Sequence, residues 1–302
     1  TYDKAGNLSP NKFEKKYTVT FNYNFAGLTN EKMEAKAAFN GWKGSNGKTY
    51  ADSASVTNLT STNGGSVTMT AQWTPASIKL SAPERLGYTF DGWYTAASGG
   101  TKIGAGGASF TPVGNTTYYA HWTPITYTIK FAGNGNTGGS TASMSVKYDQ
   151  SATLTANGFT KSGYSFAGWS CDETKYENKA SVKNLASANG ASVTLTAVWL
   201  PTTYQVSFDP NGGSGAMNPQ TFTYDAAQAL TKNTFKRTGY TFIGWSDTQG
   251  ENIVIYRDQE SVKNVLVSKL YAVWQRNTYT DSIAHWSYGF KNQEGNNNDK
   301  NA

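Results

Sequence analysis

The sequence predicts a mainly β fold that is built as a tandem array of small repeats. Aromatic residues make up 14 % of the 302 residues and charged residues only 15 %, a composition that favours strands over long exposed helices. Several short segments alternate apolar and polar residues, as half-buried strands do. In addition, eight of the nine Trp fall at repeating positions, and a regular internal period is typical of repeat architectures.

The repeating mark is Phe-X-Gly-Trp, which occurs four times and is followed each time by a second Trp about thirty residues later. A residue present in every unit is more often part of the core than of a reactive site. We therefore assign these tryptophans to the structural core: Trp42, Trp73, Trp93, Trp122, Trp169, Trp199, Trp245 and Trp274.

The third repeat shows the order of elements most clearly. Tyr127–Phe131 alternates strictly and predicts an opening strand. The loop Gly133–Gly139 is rich in Gly and Asn, which tolerate the positive φ of tight hairpin turns, and Ser143–Tyr148 predicts the returning strand. The fourth repeat follows the same order from Tyr204 to Tyr224.

Three further elements recur after this hairpin. The first is a Gly-Tyr pair that leads into Phe-X-Gly-Trp, where the Gly before the Trp is expected to let the backbone bend or approach closely. The second is a Ser-Val-Lys-Asn segment at Ser181–Asn184 and Ser261–Asn264. The third is a closing strand such as Val193–Trp199, whose alternation places its Trp on the apolar face.

The first two repeats depart from this pattern. The first keeps an opening strand at Tyr17–Phe21, but Glu31–Ala38 replaces the Gly-Tyr element and is expected to form one or two helical turns. The second lacks an opening hairpin. The predicted organisation is a leader at 1–16, repeats at 17–74, 75–123, 124–200 and 201–275, and a following domain or tail at 276–302.

Short connections join the repeats. Four residues, one of them Pro, separate Trp122 from Tyr127 and Trp199 from Tyr204. Four residues span at most roughly 14 Å, and Pro stiffens them. Neighbouring repeats must therefore lie close together, and we predict an elongated, semi-rigid rod.

The combined motif is similar to the Listeria–Bacteroides repeat, the family that includes the B repeat of internalins. The match runs roughly from Tyr17 to Trp274, and it is strongest in the third and fourth repeats and weakest in the first. The fourth repeat carries its motifs at Tyr204–Phe208, Arg237–Trp245 and Leu270–Trp274. The resemblance implies β-grasp-like (ubiquitin-like) modules of four or five strands with little or no helix. It also implies an extracellular location on the bacterial surface or cell wall, usually of Gram-positive or gut bacteria.

The side chains offer little for catalysis. Two histidines, His121 and His285, and the single Cys171 are too few and too scattered for a metal site. Acidic residues do not recur between repeats, and Asp172-Glu173 is expected on a solvated loop. No Lys–Asn–acid trio recurs in all repeats, so a covalent crosslink is disfavoured. We therefore predict no enzyme activity and no cofactor.

Aromatic residues that break the repeat are better candidates for ligand contacts, because exposed Tyr and Trp can stack on sugars or anchor proteins. The partners considered are a host surface protein, a glycan and an anionic cell-wall polymer; the net charge of +6 is weak support for the last. Nucleic acid, a membrane span and oligomers are not expected. The candidate residues are Tyr94, Tyr118, Trp286 and Tyr288, with Tyr23 and Phe25 as further pattern breakers.

Two functions remain open from the sequence. The first is a non-enzymatic spacer that presents an adjoining adhesive or catalytic domain. The alternative is a binding module, either a host-protein adhesin or a carbohydrate-binding unit, that uses the non-recurrent aromatics.

Overall fold

The computed structural model describes residues 14–278, and these consist of strands and turns with no helix among them. The expected mainly β repeat array is confirmed. The described chain divides into two compact units. The first contains residues 14–162 with Phe166–Trp199, and the second contains Gly163–Ser165 with residues 200–278.

The first unit begins with nine strands. Seven form one sheet in the order β3-β2-β1-β9-β6-β7, with β4 also paired to β2, while β5 and β8 form a separate two-stranded sheet. The strands are β1 (Lys15–Asn22), β2 (Glu31–Gly44), β3 (Thr49–Tyr50), β4 (Met69–Pro75), β5 (Ile78–Lys79), β6 (Tyr88–Tyr94), β7 (Lys102–Gly104), β8 (Ser109–Phe110) and β9 (Thr116–Pro124).

A second set of nine strands follows. Five form a sheet in the order β12-β10-β18-β15-β16, and β11-β14 and β13-β17 form two small sheets. The strands are β10 (Thr126–Ala132), β11 (Gly138–Gly139), β12 (Met144–Lys147), β13 (Ala152–Thr153), β14 (Phe159–Thr160), β15 (Tyr164–Cys171), β16 (Thr174–Tyr176), β17 (Ser181–Val182) and β18 (Ser192–Pro201).

The last six strands belong to the second unit. Four form a sheet in the order β20-β19-β24-β22, and β21 pairs with β23. The strands are β19 (Thr203–Asp209), β20 (Gln220–Thr223), β21 (Gln228–Ala229), β22 (Tyr240–Ser246), β23 (Ser261–Val262) and β24 (Lys269–Arg276).

All three large sheets share one strand pattern, and we call each sheet with its loops a module. An opening strand (β1, β10 or β19) pairs antiparallel with a second strand (β2, β12 or β20) and parallel with a closing strand (β9, β18 or β24). The closing strand pairs on its other side with the Phe-X-Gly-Trp strand (β6, β15 or β22). This mixed order agrees with the β-grasp-like module that the sequence resemblance implies.

The first module combines segments that the sequence analysis assigns to two different repeats. Strand β1 supplies the opening strand beside β9, and the indole N–H of Trp122 donates to the carbonyl of Tyr23 just after β1 (2.9 Å). Phe21 is fully buried, and its ring lies 4.7 Å from that of Trp93. The boundary predicted between residues 74 and 75 therefore does not separate two sheets.

The expectation of helical turns at Glu31–Ala38 is wrong, because these residues form the first half of β2. Met33, Ala35 and Ala37 alternate with Lys and Glu, and this period of two matches the face of a strand that pairs with β1. Ala, Glu and Lys favour helices in isolation, but pairing and burial override that propensity here.

The glycine of Phe-X-Gly-Trp forms a β-bulge. In the third module the register shifts between Phe242 and Gly244, and Gly244 has φ +152°. Because the bulge adds one residue, Phe242 and Trp245, which are three positions apart, lie on the same face with their rings 4.9 Å apart. The expectation that this Gly lets the backbone bend is confirmed.

One fully buried Trp occupies the core of each module: Trp93, Trp169 or Trp245. Of the closing tryptophans, Trp122 and Trp199 are half-buried and Trp274 is buried. Their indole N–H groups donate across the module, as Trp199 does to Gly133 (2.8 Å) and Trp274 to Pro210 (2.8 Å). Trp42 and Trp73 are half-buried and pack on Phe39, apart from the three described core clusters.

Phe21→Ala should destabilise the whole first module, including β6 and β9. Truncating a buried Phe typically costs roughly 3–5 kcal/mol, a large share of the stability of a unit this small. Phe39→Ala is the matched control, because Phe39 packs on the half-buried pair Trp42 and Trp73. Amide hydrogen exchange at Ala120 in β9 measures the effect. Unchanged protection in Phe21→Ala would show that β1 is not part of this core.

Candidate functional site

A recurrent set of side-chain contacts lies where one module meets the next. In the first unit, Gly87 and Tyr88 at the start of β6 face Tyr148 and Asp149 in the turn after β12. We call this contact the seam, the Gly-Tyr pair its socket, and the Tyr-Asp pair its turn.

The connection between the modules forms part of the seam. The N–H of Ile125 donates to the carbonyl of Gly87 (3.0 Å), and the N–H of Tyr148 donates to the carbonyl of Ile125 (2.9 Å). Ile125 itself is buried in the core of the second module. The linker is therefore hydrogen-bonded on both sides and does not act as a free tether.

Gly87 is required in the socket for two reasons. Its φ is +76°, in the left-handed region that favours Gly. A Cβ on Gly87 would also overlap the ring of Tyr148, which packs directly on the glycine. The same ring lies against Tyr88 at 5.9 Å with an edge-to-face tilt of 72°, an arrangement that aromatic pairs favour.

A polar cluster closes the seam. The Tyr88 hydroxyl donates to Oδ2 of Asp149 (2.7 Å), while the Asn184 side-chain amide donates to Oδ1 (2.9 Å) and accepts from the Asp149 N–H (2.6 Å). Lys183 Nζ lies 3.4 Å from the same carboxylate. This contact explains why Lys-Asn recurs after Ser-Val.

The turn residues have suitable local conformations. Asp149 and Asn184 both have positive φ, 61° and 56°. Asn and Asp adopt this region more readily than other non-Gly residues. The backbone conformations that Asp149 and Asn184 favour therefore suit the contact between the carboxylate and the amide.

A cation–π contact supports the socket from behind. The Cζ atom of Arg85 lies 3.4 Å from the ring centroid of Tyr88 and 3.6 Å from that of Phe25. The guanidinium is thus held between two rings, an arrangement that stabilises a cation by roughly 0.5–2 kcal/mol.

The second unit contains the same set of contacts. Thr202 donates its N–H to the Gly163 carbonyl (2.9 Å) and accepts from Tyr224 N–H (2.9 Å). The Tyr164 hydroxyl donates to Asp225 (2.7 Å), which also accepts from Asn264 (2.8 Å) and lies 3.4 Å from Lys263 Nζ. A Cβ on Gly163 would overlap the Tyr224 ring.

Ionisation of the seam follows from these bonds. Hydrogen bonds from Asn184 and Tyr88 hold the pKa of Asp149 below its ordinary value of 3.8. The hydrogen bond to Asp149 holds the pKa of Tyr88 above its ordinary value of 10.0. In the second unit, hydrogen bonds from Tyr164 and Asn264 lower the pKa of Asp225 in the same way.

The aromatic ligand candidates fall in different places. Tyr94 stacks on His121, with ring centroids 3.8 Å apart and planes within 8°. Tyr118 is only 7 % exposed and packs edge-on against Phe110 in the core, so its ring is not available to a surface ligand. Burial raises its pKa. Trp286 and Tyr288 lie outside the described residues, as does His285.

Two further pattern breakers have structural contacts. Tyr23 donates its hydroxyl to Glu31 (2.9 Å), and its ring lies 5.7 Å from that of Trp93. Phe25 is 46 % exposed and covers Arg85. The expected loop at Asp172-Glu173 is confirmed as the two-residue turn between β15 and β16.

A shallow cleft of about 560 Å³ lies beside the seam, between Arg85, Phe90, Trp122 and Asn189. Its volume is within the range of small-molecule sites. However, Arg85 is sandwiched between rings, and Phe90 packs on both Trp93 and Trp122. We interpret the cleft as the edge of the seam.

Residues 14–278 contain no cluster of three or more His, Cys, Asp or Glu side chains that could hold a metal ion. Over the same range, no helix has the length and apolar character needed to cross a bilayer. Lys183, Asn184 and Asp149 do come together, as do Lys263, Asn264 and Asp225, but both carboxylates are well exposed. Because Lys and Asn are chain neighbours, a bond between them would crosslink no distant segments.

Sequence reasoning missed the seam carboxylates. Tyr148-Asp149 and Tyr224-Asp225 recur at the same place in two repeats, 35 and 39 residues before the Asn that binds each Asp. This recurrence was a usable signal. A comparison of acidic residues across all four repeats hides it, because the repeats at 17–74 and 75–123 contain no Tyr-Asp pair.

The fold and its seams define a tandem repeat protein of β-grasp-like modules. The Listeria-Bacteroides repeat domain matches the sequence at residues 59–121, 127–198 and 204–273, which together cover more than half of the chain. The chain belongs to this family. The predicted family resemblance is confirmed.

Three curated relatives match parts of the chain. A protein of Evansella cellulosilytica, provisionally named a Gly-rich membrane protein, is 29 % identical over 66 % of this chain and 23 % of its own length. A second protein of that organism, provisionally named a membrane protein, is 28 % identical over 72 % of this chain and 31 % of its own length. Internalin H of Listeria monocytogenes is 39 % identical over 29 % of this chain and 15 % of its own length. The chain thus matches less than a third of the length of each relative.

Gly87→Ala should loosen the seam while leaving both adjacent cores folded. The new Cβ would overlap Tyr148 and also meet the cost of a positive φ. Gly239→Ala is the matched control, because Gly239 has nearly the same φ (+75°) but no described atom within 4 Å of the place that a Cβ would take. Hydrogen exchange at the linker amide that donates to each glycine, Ile125 for Gly87 and Asn277 for Gly239, reads the difference. Equal loss in both variants would assign the effect to φ strain alone.

The hydrogen bond between Tyr88 and Asp149 should stabilise the seam over a wide range of pH. The depressed pKa of Asp149 means that its contribution is present above pH 3.8 and is lost as pH falls through the lower folded pKa. The raised pKa of Tyr88 means that its contribution is present below pH 10.0 and is lost as pH rises through the higher folded pKa. Unfolding free energies measured against pH should lose the Asp149 part of the acid limb in Asp149→Asn and the Tyr88 part of the alkaline limb in Tyr88→Phe, while the parts from Asp225 and Tyr164 remain. Because both groups are exposed, each effect should be small. Unchanged limbs in both variants would contradict this assignment.

Proposed function

We propose that the chain is a non-enzymatic repeat region of a secreted or surface protein of a Gram-positive bacterium, where it acts as a semi-rigid spacer that presents an adjoining adhesive or catalytic domain. The observation that carries this proposal is the seam. A flexible string of modules needs no recurrent contacts between neighbours, whereas Gly87, Tyr88, Tyr148 and Asp149 form packed and hydrogen-bonded ones.

Several features of the seam oppose swivelling. The linker residue Ile125 is buried and hydrogen-bonded on both sides. Rotation of one module against the other about Ile125 would move Tyr148 away from Gly87 and, at the same time, break the Tyr88–Asp149 hydrogen bond. Since these contacts depend on one another, the seam should open cooperatively and not bend gradually.

The proposed location draws on the relatives. Two of them carry provisional membrane-protein names, and the third is an internalin of Listeria. A bacterial surface or cell-wall location fits such relatives, and it also fits a chain with a single Cys and hence no internal disulfide.

The alternative, a binding module that uses exposed aromatics, has weaker support. Tyr118 is buried, Phe25 covers Arg85, and Tyr94 is stacked on His121. Each of these side chains has a structural contact that accounts for its position. Under this alternative, the chain would bind a host protein, a glycan or a wall polymer.

Distance measurements between spin labels test the spacer function. Labels at Lys102→Cys and Lys175→Cys, both exposed and in neighbouring modules of the first unit, should give one narrow distance distribution in a Cys171→Ser background. Adding Gly87→Ala should broaden it, whereas Gly239→Ala should not. A broad distribution in the parent protein would contradict the proposal, because freely jointed modules cannot hold a fixed spacing.

A further inference from the structure

The described chain contains three Gly-Tyr sockets but only two Tyr-Asp turns. The sockets at Gly87 and Gly163 are filled by Tyr148 and Tyr224. The third socket is Gly239–Tyr240, at the start of β22 in the third module. It has the same backbone conformation, with φ +75° at Gly239. No described atom lies within 4 Å of the position of a Cβ on this residue.

The main-chain half of the third socket is already formed. In the filled seams, Ile125 and Thr202 each follow the closing Trp by three residues, donate to the socket Gly, and accept from the N–H of the turn Tyr. Asn277 holds the same position after Trp274 and donates to the Gly239 carbonyl (2.9 Å). Thr241 fixes its side chain through a hydrogen bond of 2.7 Å. Within residues 14–278, no group donates to the Asn277 carbonyl.

The side-chain half is also in place. Arg237 lies with its Cζ 4.0 Å from the Tyr240 ring centroid, as Arg85 does behind Tyr88. Among the described residues, no carboxylate accepts from the Tyr240 hydroxyl. The third socket thus offers the hydroxyl of Tyr240 as a donor, the uncovered surface of Gly239 and the backbone carbonyl of Asn277. In the two filled seams, the equivalent groups bind a Tyr-Asp turn.

We propose that Gly239, Tyr240 and Asn277 bind a further repeat of this family through its Tyr-Asp turn. The occupant follows from continuity with the two filled seams, since the required partner is an aromatic ring for the glycine and a carboxylate for the phenol. A second copy of this chain is a poorer fit. Both of its described turns, Tyr148-Asp149 and Tyr224-Asp225, are already engaged, and its other Tyr-Asp pair, Tyr2-Asp3, lies outside the described residues; a described turn would have to leave its own seam. The proposal rests on the spacer function and adds a third docking position to it.

An inserted repeat tests the proposal in the full chain. A copy of residues 203–277 is placed between Asn277 and Thr278, so that its turn reaches the third socket with the natural spacing. In NMR spectra, the α-protons of Gly239 should then shift upfield into the range of those of Gly87 and Gly163, because an aromatic ring now lies over them. The amide of the copied Tyr224 should become protected from hydrogen exchange.

Matched variants separate docking from mere attachment. Changing only the copied Tyr224 to Ser should abolish the Gly239 shift while the copied Trp245 stays buried. A folded copy that leaves Gly239 unshifted would overturn the proposal. If this copy does not fold, a copy of residues 126–202, with its Tyr148-Asp149 turn, is inserted instead and judged by the same shift.

Two further outcomes are decisive. If the Gly239 shift arises in the unmodified chain only as its concentration rises, the occupant is a second copy and the proposal is wrong. The label pair at positions 102 and 175 reports on the Gly87 seam alone. An unshifted Gly239 with a narrow label distance would therefore reject the third socket and leave the spacer function standing.

Discussion

The fold of each module depends on burying the indole of one Trp. The modules have no described helix and no disulfide. A plain strand would place Phe and Trp three positions apart on opposite faces. The bulge at the intervening Gly brings both rings to one face, so that Phe242 and Trp245 form a single aromatic cluster with Phe208. The same arrangement recurs around Trp93 and Trp169. Small modules bury little surface, and a large aromatic residue supplies much of what they bury.

Much of this could be predicted from local sequence. Strand alternation, the Gly/Asn turns and the role of Trp169 depend on residues close in the chain. The pairing of β1 with β9, in the sheet that contains Trp93, could not be predicted, because a parallel pairing across almost one hundred residues leaves no local pattern. Tyr118 was misplaced for a different reason: its side chain breaks the repeat pattern, yet it pairs with Phe21 at a buried position that Leu195 and Leu270 occupy in the other modules.

The seam was half visible in the sequence. Its glycine and tyrosine belong to a recurrent motif, and the short linker indicated close neighbours. Its carboxylate was not found, since Asp149 is bonded by residues 61 positions before it and 35 after it. The unexplained recurrence of Lys-Asn was the trace of this contact. Lys183 and Asn184 bind Asp149 inside their own module, and they thereby hold its carboxylate where Tyr88 of the neighbouring module reaches it.

The parallel pairing of first and last strands has a mechanical consequence. In the second module, β10 and β18 lie side by side in register from Thr128 with Ser192 to Ala132 with Thr196. A tension applied through the two ends of the module pulls these strands past each other, so the bonds of the ladder are loaded together in shear. A hairpin pulled at its two ends, in contrast, breaks one bond at a time. Each module is thus connected so as to transmit force along the polypeptide before it extends.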